Sequence, residues 1–170
     1  TIGKGLLSFD EEEVALLCNL FDKEQSDKKI IKFVPASGAA TRMFKNLYTF
    51  LDTGEINEEV ETFINNLDKF SFYDSLCDVL LNQGNQMGTC LSDKDYKTVI
   101  SAMLLPNGLN YAKLPKGMIQ FHAYGDHVRT AIEEHLVEGA IYCKNRGGKV
   151  FLHFTVSEEM LDDFQSLVND

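Results

Sequence analysis

The stretch that decides the fold runs from Phe33 to Met43 and has the sequence FVPASGAATRM. It begins inside residues 30–35 (IIKFVP), a short, mostly apolar run with β-branched residues, which predicts a buried strand. Only small residues follow, from Ser37 to Thr41, and from Arg42 to Leu51 the apolar residues recur at helical spacing. In α/β proteins, ligands bind at the carboxyl ends of strands. The stretch therefore predicts a strand–loop–helix unit whose loop can receive a ligand.

The chain before residue 105 is otherwise predicted to be helical. Asp10 and the acidic residues after it predict a helix over residues 10–21. Apolar residues at positions i, i+3, i+4 and i+7 predict further helices within residues 56–104. We expect a loop at Asn82–Asp93, because it contains Gly84 and Gly88.

The last third predicts strands alternating with helices. We expect a short strand at Gly117–Phe121, a helix that starts at Asp126 or His127 and ends at Gly147, and a strand at Lys149–Val156. Ser157 then caps a final helix. This order predicts an α/β fold with parallel strands. Two or three strands are too few to close such a sheet, so we expect the chain to be part of a larger protein.

The domain organisation follows from this pattern. Residues 1–29 are predicted to form an N-terminal helical segment. Residues 30–45 and 114–170 are predicted to form an incomplete α/β core, and residues 46–113 a large helical insert within it.

Composition narrows the classes of function. The chain has 170 residues, of which 44% are hydrophobic, so it can bury a core of its own. No apolar run approaches the roughly 18 residues of a membrane span, and we expect a cytoplasmic protein. A net charge of −10 argues against binding to a nucleic-acid polymer or to an anionic membrane surface. Residues 30–45 form the one segment with a net positive charge, because they contain Lys32, Arg42 and Lys45 and no acidic residue.

The basic segment coincides with the small-residue loop, which predicts an anion site. Small side chains let the backbone approach a phosphate closely, and the N–H groups of the turn point at the anion. Thr41 adds a hydroxyl donor, and Arg42 adds a forked cation suited to phosphate oxygens. The loop matches neither the P-loop nor the dinucleotide-binding pattern. An ordinary strand–helix turn with a surface arginine remains the alternative.

Two motifs resemble the N-terminal signature of the sugar-nucleotide pyrophosphorylases. These are the small-residue loop that ends in Thr41-Arg42-Met43 and the later Leu114-Pro115-Lys116. The resemblance covers residues 30–42 and 114–156. The chain departs from the pattern in having Ala40 where a glycine is usual and in the long segment between Arg42 and Pro115. The whole stretch most closely resembles an uncharacterised family of longer proteins from Bacteroidetes-type bacteria, of which it looks like an N-terminal part.

The resemblance implies a partial Rossmann-like nucleotidyltransferase sheet and a reaction between a nucleoside triphosphate and a sugar 1-phosphate. It implies that the backbone of Ala36, Ser37, Gly38, Ala39, Ala40 and Thr41 binds the nucleotide. It also implies that Arg42 binds the β- and γ-phosphates, that Lys116 neutralises transition-state charge, and that Mg²⁺ bridges phosphate oxygens. The metal ligands cannot be placed, and we expect this piece alone to be inactive. Two alternatives stay open: an inactive module that binds a nucleotide or sugar phosphate, and a helical insert that serves as a lid or docking lobe.

Other reactive residues are expected to be structural. The four cysteines (Cys18, Cys77, Cys90 and Cys143) lie far apart and are expected to be buried free thiols. The spacing of His122, His127 and His135 disfavours a metal site with Glu134 and Glu138 and favours solvated or capping histidines. His153 is expected to be a core histidine. An aromatic set is expected to form the core of the insert: Phe63, Phe70, Phe72, Tyr73 and Tyr96.

Overall fold

A computed structural model describes residues 2–169, except for the side chain of Asp27. The expected mixture of helices and strands is confirmed, and 54% of the structure is helical. The helices are α1 (Glu11–Glu24), α2 (Lys45–Thr53), α3 (Glu58–Asn65), α4 (Tyr73–Asn82), α5 (Met87–Ser92), α6 (Tyr96–Leu104), α7 (Ala131–Tyr142) and α8 (Leu161–Asn169). The strands are β1 (Ile31–Pro35), β2 (Gln120–Ala123), β3 (Val128–Thr130) and β4 (Phe151–Thr155). Strand β1 pairs with β4, and β2 pairs with β3.

The described residues divide into two compact units. The first contains the chain up to Val34 together with Leu136–His153. It begins with α1, whose predicted start is confirmed: the Asp10 Oδ1 accepts the Glu13 N–H at 2.9 Å, and the Glu13 Oε2 accepts the Asp10 N–H at 3.0 Å. These two bonds form a capping box, which satisfies backbone donors that the first helical turn leaves unpaired.

The second unit contains Pro35–His135 and the residues from Phe154 onward, and it holds the main hydrophobic core. Helices α2 to α6 supply most of this core, and their best-buried side chains are less than 2% exposed: Val60, Leu76, Leu80, Val99, Ile100, Met103 and Leu104. Ala40 and Ile119 belong to the same cluster. The helices between residues 45 and 104 therefore pack directly against residues that flank the two predicted ligand-binding segments.

The structure corrects the loop that we expected at Asn82–Asp93. Helix α5 occupies Met87–Ser92, with Gly88 inside it. Met87 and Cys90 are 6% and 5% exposed and belong to the main core. Burial of these two side chains outweighs the weak helix propensity of one glycine.

A second correction concerns Val128–Thr130, which form strand β3 instead of the first turn of a helix. Strand β3 pairs antiparallel with β2, so this sheet is not the expected parallel one. Gly125 forms the turn with a φ of +84°, and the Tyr124 N–H donates to the His127 carbonyl at 2.8 Å. Helix α7 starts only at Ala131, after a capping interaction in which the Thr130 N–H donates to the Glu133 Oε2 at 2.6 Å.

Two expectations about burial are also wrong. Cys90 is buried, but Cys18 is exposed, and Cys77 and Cys143 are half-buried; all four are free. Burial raises the pKa of the Cys90 thiol above its usual value. His153 is exposed, and its ring stacks on Phe33 with the ring centres 5.3 Å apart. Cys18 and His153 are exposed because α1 and β4, on which they lie, stay partly open to solvent.

No helix between residues 2 and 169 has the length and hydropathy that a bilayer crossing requires.

Gly108 offers a sharp test of the packing after α6. A Cβ added there would lie 1.7 Å from the backbone oxygen of Ala102, so the chain has no room for alanine. We expect Gly108→Ala to lower the free energy of unfolding by roughly 1–3 kcal/mol, as overpacking does. Gly88→Ala is the matched control, because Gly88 lies in α5 with open space around its Cα. The control is expected to raise stability by up to about 1 kcal/mol. Urea unfolding followed by circular dichroism measures both, and equal stability of Gly108→Ala and the wild type would contradict the packing.

Candidate functional site

The two segments that carry the predicted site residues meet through their backbones. The small-residue loop is defined here as Ala36–Arg42. The Lys116 N–H donates to the Gly38 carbonyl at 2.9 Å, and Ala39 forms an antiparallel bridge with Pro115. The Ala36 N–H donates to the Thr155 carbonyl at 2.9 Å, which fixes the other end of the loop. The structure thus brings the loop and Lys116 together, although the helices α2 to α6 separate them in sequence.

The residues of the small-residue loop divide into inward and outward sets. Ala36 and Ala40 are 6% and 0% exposed. The side chain of Ala40 fills part of the main core, which gives a physical reason for alanine at the position where the related pattern has glycine. The outward residues are all exposed: Ser37, Gly38, Ala39, Thr41 and Arg42.

Backbone donors of the loop are free to meet a ligand. The N–H groups of Ser37, Gly38 and Ala39 donate to no backbone oxygen within residues 2–169. Ala40–Arg42 form one turn of 3-10 helix, and the Met43 N–H closes it by donating to the Ala40 carbonyl at 2.8 Å. These unpaired N–H groups are available to donate hydrogen bonds to an anion.

The two predicted catalytic cations, Arg42 and Lys116, are exposed and lack an acidic partner in the part of the chain that the structure describes. Lys32, from the same basic segment, instead forms an ion pair with Glu138. No Asp or Glu occurs in residues 30–45 or 113–119. The segments that carry the loop and Lys116 therefore contribute positive charge and N–H dipoles but no carboxylate of their own.

A groove of about 580 Å³, the apolar groove, opens beside these segments. Its walls are mainly aliphatic and aromatic side chains from α2, α3 and β2 and from the segments that precede α4 and β2: Met43, Phe44, Leu47, Phe63, Phe70, Phe72, Ile119 and Phe121. Five polar residues also line it: Asn46, Glu59, Lys69, Ser71 and Gln120. The sequence did not reveal this groove, because Phe63 and Phe70 were expected to lie in the core of the insert. Phe72 is buried as expected, but Phe70 is 39% exposed.

Glu134 is the centre of a separate polar cluster on β2, β3 and α7. Its carboxylate is 13% exposed and accepts hydrogen bonds from the Tyr124 hydroxyl at 2.6 Å and from the His122 Nδ1 at 3.2 Å. The Arg129 guanidinium lies 3.9 Å from the second carboxylate oxygen and 4.5 Å from the centre of the Tyr124 ring. The Tyr124 hydrogen bond is the main cause that holds the pKa of Glu134 below its ordinary value of 4.5. The same bond raises the pKa of Tyr124 above 10.

The histidines do not converge on a metal site among the described residues. No group of three or more His, Cys, Asp or Glu side chains there has a geometry that could hold an ion. His127 Nδ1 lies 2.7 Å from Asp126, the adjacent residue.

Comparison with known proteins gives one match. A family model described as "Domain of unknown function (DUF4301)" matches residues 1–170. The chain belongs to the DUF4301 family. No curated protein and no solved structure matches this DUF4301 domain.

The polar cluster of the DUF4301 domain yields a testable titration. In Tyr124→Phe the carboxylate of Glu134 loses its shortest hydrogen bond, so we expect its pKa to rise towards 4.5. Because the pKa is lowered in the folded protein, the ionised carboxylate stabilises the fold at pH values above 4.5. This contribution is lost as the pH falls through the pKa of folded Glu134.

NMR titration of the side-chain carboxyl of Glu134 measures the shift. Tyr142→Phe is a matched control, since Tyr142 is 72% exposed and outside the cluster. An identical Glu134 titration in the wild type and Tyr124→Phe would show that the hydrogen bond does not set this pKa.

Proposed function

We propose that the small-residue loop and Lys116 bind the phosphate groups of a nucleoside triphosphate. The observation that carries the proposal is the backbone junction at Gly38 and Lys116, which places Arg42 and Lys116, two exposed cations without acidic partners, on adjoining segments. The free N–H groups of Ser37, Gly38 and Ala39 add donors of the kind that phosphate oxygens accept.

The proposed reaction is transfer of a nucleotidyl group to a sugar 1-phosphate. An oxygen of the sugar phosphate attacks the α-phosphorus, the bond between the α-phosphorus and the bridging oxygen breaks, and pyrophosphate leaves with that electron pair. Arg42 is assigned to the β- and γ-phosphates, which become the leaving group, and Lys116 to the charge that develops on the phosphates. Phosphoryl and nucleotidyl transfers depend mainly on positioning and charge stabilisation, which two cations and backbone donors supply.

The proposal is supported by the resemblance to sugar-nucleotide pyrophosphorylases in residues 30–42 and 114–156. It includes a partial Rossmann-like nucleotidyltransferase sheet built on β1 and β4, further sheet and sugar-binding residues from a longer chain, and a cytoplasmic reaction. The division into an α/β core and an insert at 46–113 stays a prediction.

Mg²⁺ is part of the proposal only through the resemblance. The segments that carry the loop and Lys116 offer no carboxylate to hold it, because residues 30–45 and 113–119 contain none. We therefore assign no ligand in this chain to Mg²⁺ and derive no step through it.

A binding module without catalysis is the second candidate. It is favoured by the lack of carboxylates in these two segments and by Ala40, which has a buried side chain where the pattern has glycine. Release of pyrophosphate from a triphosphate and a sugar 1-phosphate would exclude it.

Arg42 and Lys116 are the two cations of the proposed phosphate site. We expect Arg42→Ala and Lys116→Ala each to weaken triphosphate binding by about 10- to 100-fold, since a hydrogen bond to a charged group contributes roughly 1.5–3 kcal/mol. Isothermal titration calorimetry with ATP, GTP, CTP and UTP, with and without Mg²⁺, measures the affinities.

Two exposed cations outside the proposed contacts serve as matched controls. Arg146→Ala and Lys113→Ala change net charge equally but are expected to alter affinity by less than about threefold, as screened surface charges do. If all four variants bound equally well, or if no triphosphate bound the wild type, the phosphate site would be ruled out.

The variant Gly38→Ala distinguishes an effect on ligand affinity from an effect on the stability of the fold. Its φ is not positive, and an added Cβ would meet no atom within 4 Å, so Gly38→Ala is expected to change the free energy of unfolding by less than about 1 kcal/mol. The methyl group would nevertheless stand between the loop backbone and a phosphate, and we expect affinity for ATP to fall about tenfold. Urea unfolding and calorimetry together test this, and unchanged affinity would show that the backbone of Gly38 does not approach the ligand.

A further inference from the structure

The apolar groove has walls that folding leaves exposed. Met43, Phe70 and Phe121 are 56%, 39% and 58% exposed, although each is a large apolar side chain. Phe63 and Phe70 lie with ring centres 5.2 Å apart, which gives one wall two aromatic rings. Exposed apolar side chains that form one contiguous patch are typical of binding sites.

The size of the groove indicates a small molecule. About 580 Å³ lies within the usual range of roughly 300–1,000 Å³ for small-ligand pockets. Aromatic walls favour a planar ring system, because stacking of a nucleobase on aromatic side chains is favourable for every base. A sugar would present several hydroxyl groups to walls that are mostly apolar, and leave them without partners.

Gln120 supplies one specific polar contact. Its Nε2 donates to the Ser75 hydroxyl at 3.0 Å, whereas its Oε1 is buried and has no hydrogen-bond partner among the described residues. Gln120 lines the groove. An N–H group on a bound ring, such as the exocyclic amine of adenine, guanine or cytosine, would satisfy this oxygen.

The groove continues from the proposed phosphate site. Met43 follows Arg42 directly, and Ile119 lies three residues after Lys116; both line the groove. Its charged lining residues, Glu59 and Lys69, are of opposite sign. The groove therefore suits the uncharged end of a ligand whose charged end lies on the loop.

We propose that the apolar groove binds the base of the nucleotide whose phosphates the small-residue loop holds. The base packs against Phe121 and Met43, and its amine donates to the Gln120 Oε1. The inference rests on the proposed function, and it places recognition of the base on β2 and on Met43, the residue that follows Arg42.

Calorimetry with ATP, GTP, CTP, UTP and inorganic tripolyphosphate tests the groove apart from the loop. We expect Phe121→Ala to weaken ATP binding about 5- to 150-fold, the range for loss of one base–aromatic stack, and to leave tripolyphosphate binding unchanged. Gln120→Leu is expected to reduce the preference for the amine-bearing bases over UTP. Phe9→Ala is the matched control, because Phe9 is 47% exposed and lies outside the groove.

The outcomes separate the two proposals. If the wild type binds tripolyphosphate as tightly as ATP, or if Phe121→Ala leaves ATP binding unchanged, the groove does not bind the base, and the phosphate site stands. If neither tripolyphosphate nor any nucleotide binds, the proposed function fails and the base site fails with it. Thermal unfolding of each variant verifies that its substitution leaves the fold intact.

Discussion

The junction between Gly38 and Lys116 depends on the core beneath it. One hydrophobic cluster contains Ala40, which begins the turn at Arg42, and Ile119, which follows the turn at Lys116. The same cluster contains fully buried side chains of α3, α4 and α6, such as Val60, Leu80 and Met103. The helices that interrupt the two motifs in sequence therefore hold them together in space.

The sequence predicted those helices whose capping residues or apolar spacing lie within the helix itself. The capping residues of α1 and the apolar spacing of α3, α4 and α6 lie within single turns of helix, so they could be found from the sequence. Strand β3 could not, because three residues in a hairpin depend on pairing with β2. The capping pair Thr130 and Glu133 was the signal that could have moved the helix start to Ala131.

Of the candidate site, the loop and Lys116 could be predicted from the sequence, but the apolar groove could not. The loop was indicated by its small and basic residues after a predicted strand, and Lys116 by the resemblance, because no periodicity relates Gly38 to a partner beyond five helices. The apolar groove was missed because its walls come from distant segments and because spacing alone does not distinguish a buried aromatic ring from one at the edge of a groove. Phe72 and Phe70 show this: they lie two residues apart, yet Phe72 is 5% and Phe70 39% exposed.

The net charge of the protein means that any attraction for an anion has to come from short-range contacts. At a net charge of −10 the molecule repels anions at long range, so attraction must come from contacts inside about one Debye length. Arg42 and Lys116 meet this condition, because segments without carboxylates surround them in sequence and the loop adds unpaired N–H groups. The adjoining groove contributes apolar contact that is insensitive to the net charge. Under the proposed function, a ligand with a charged end and a planar apolar end would use both the loop and the groove, whereas a simple anion would use only the loop.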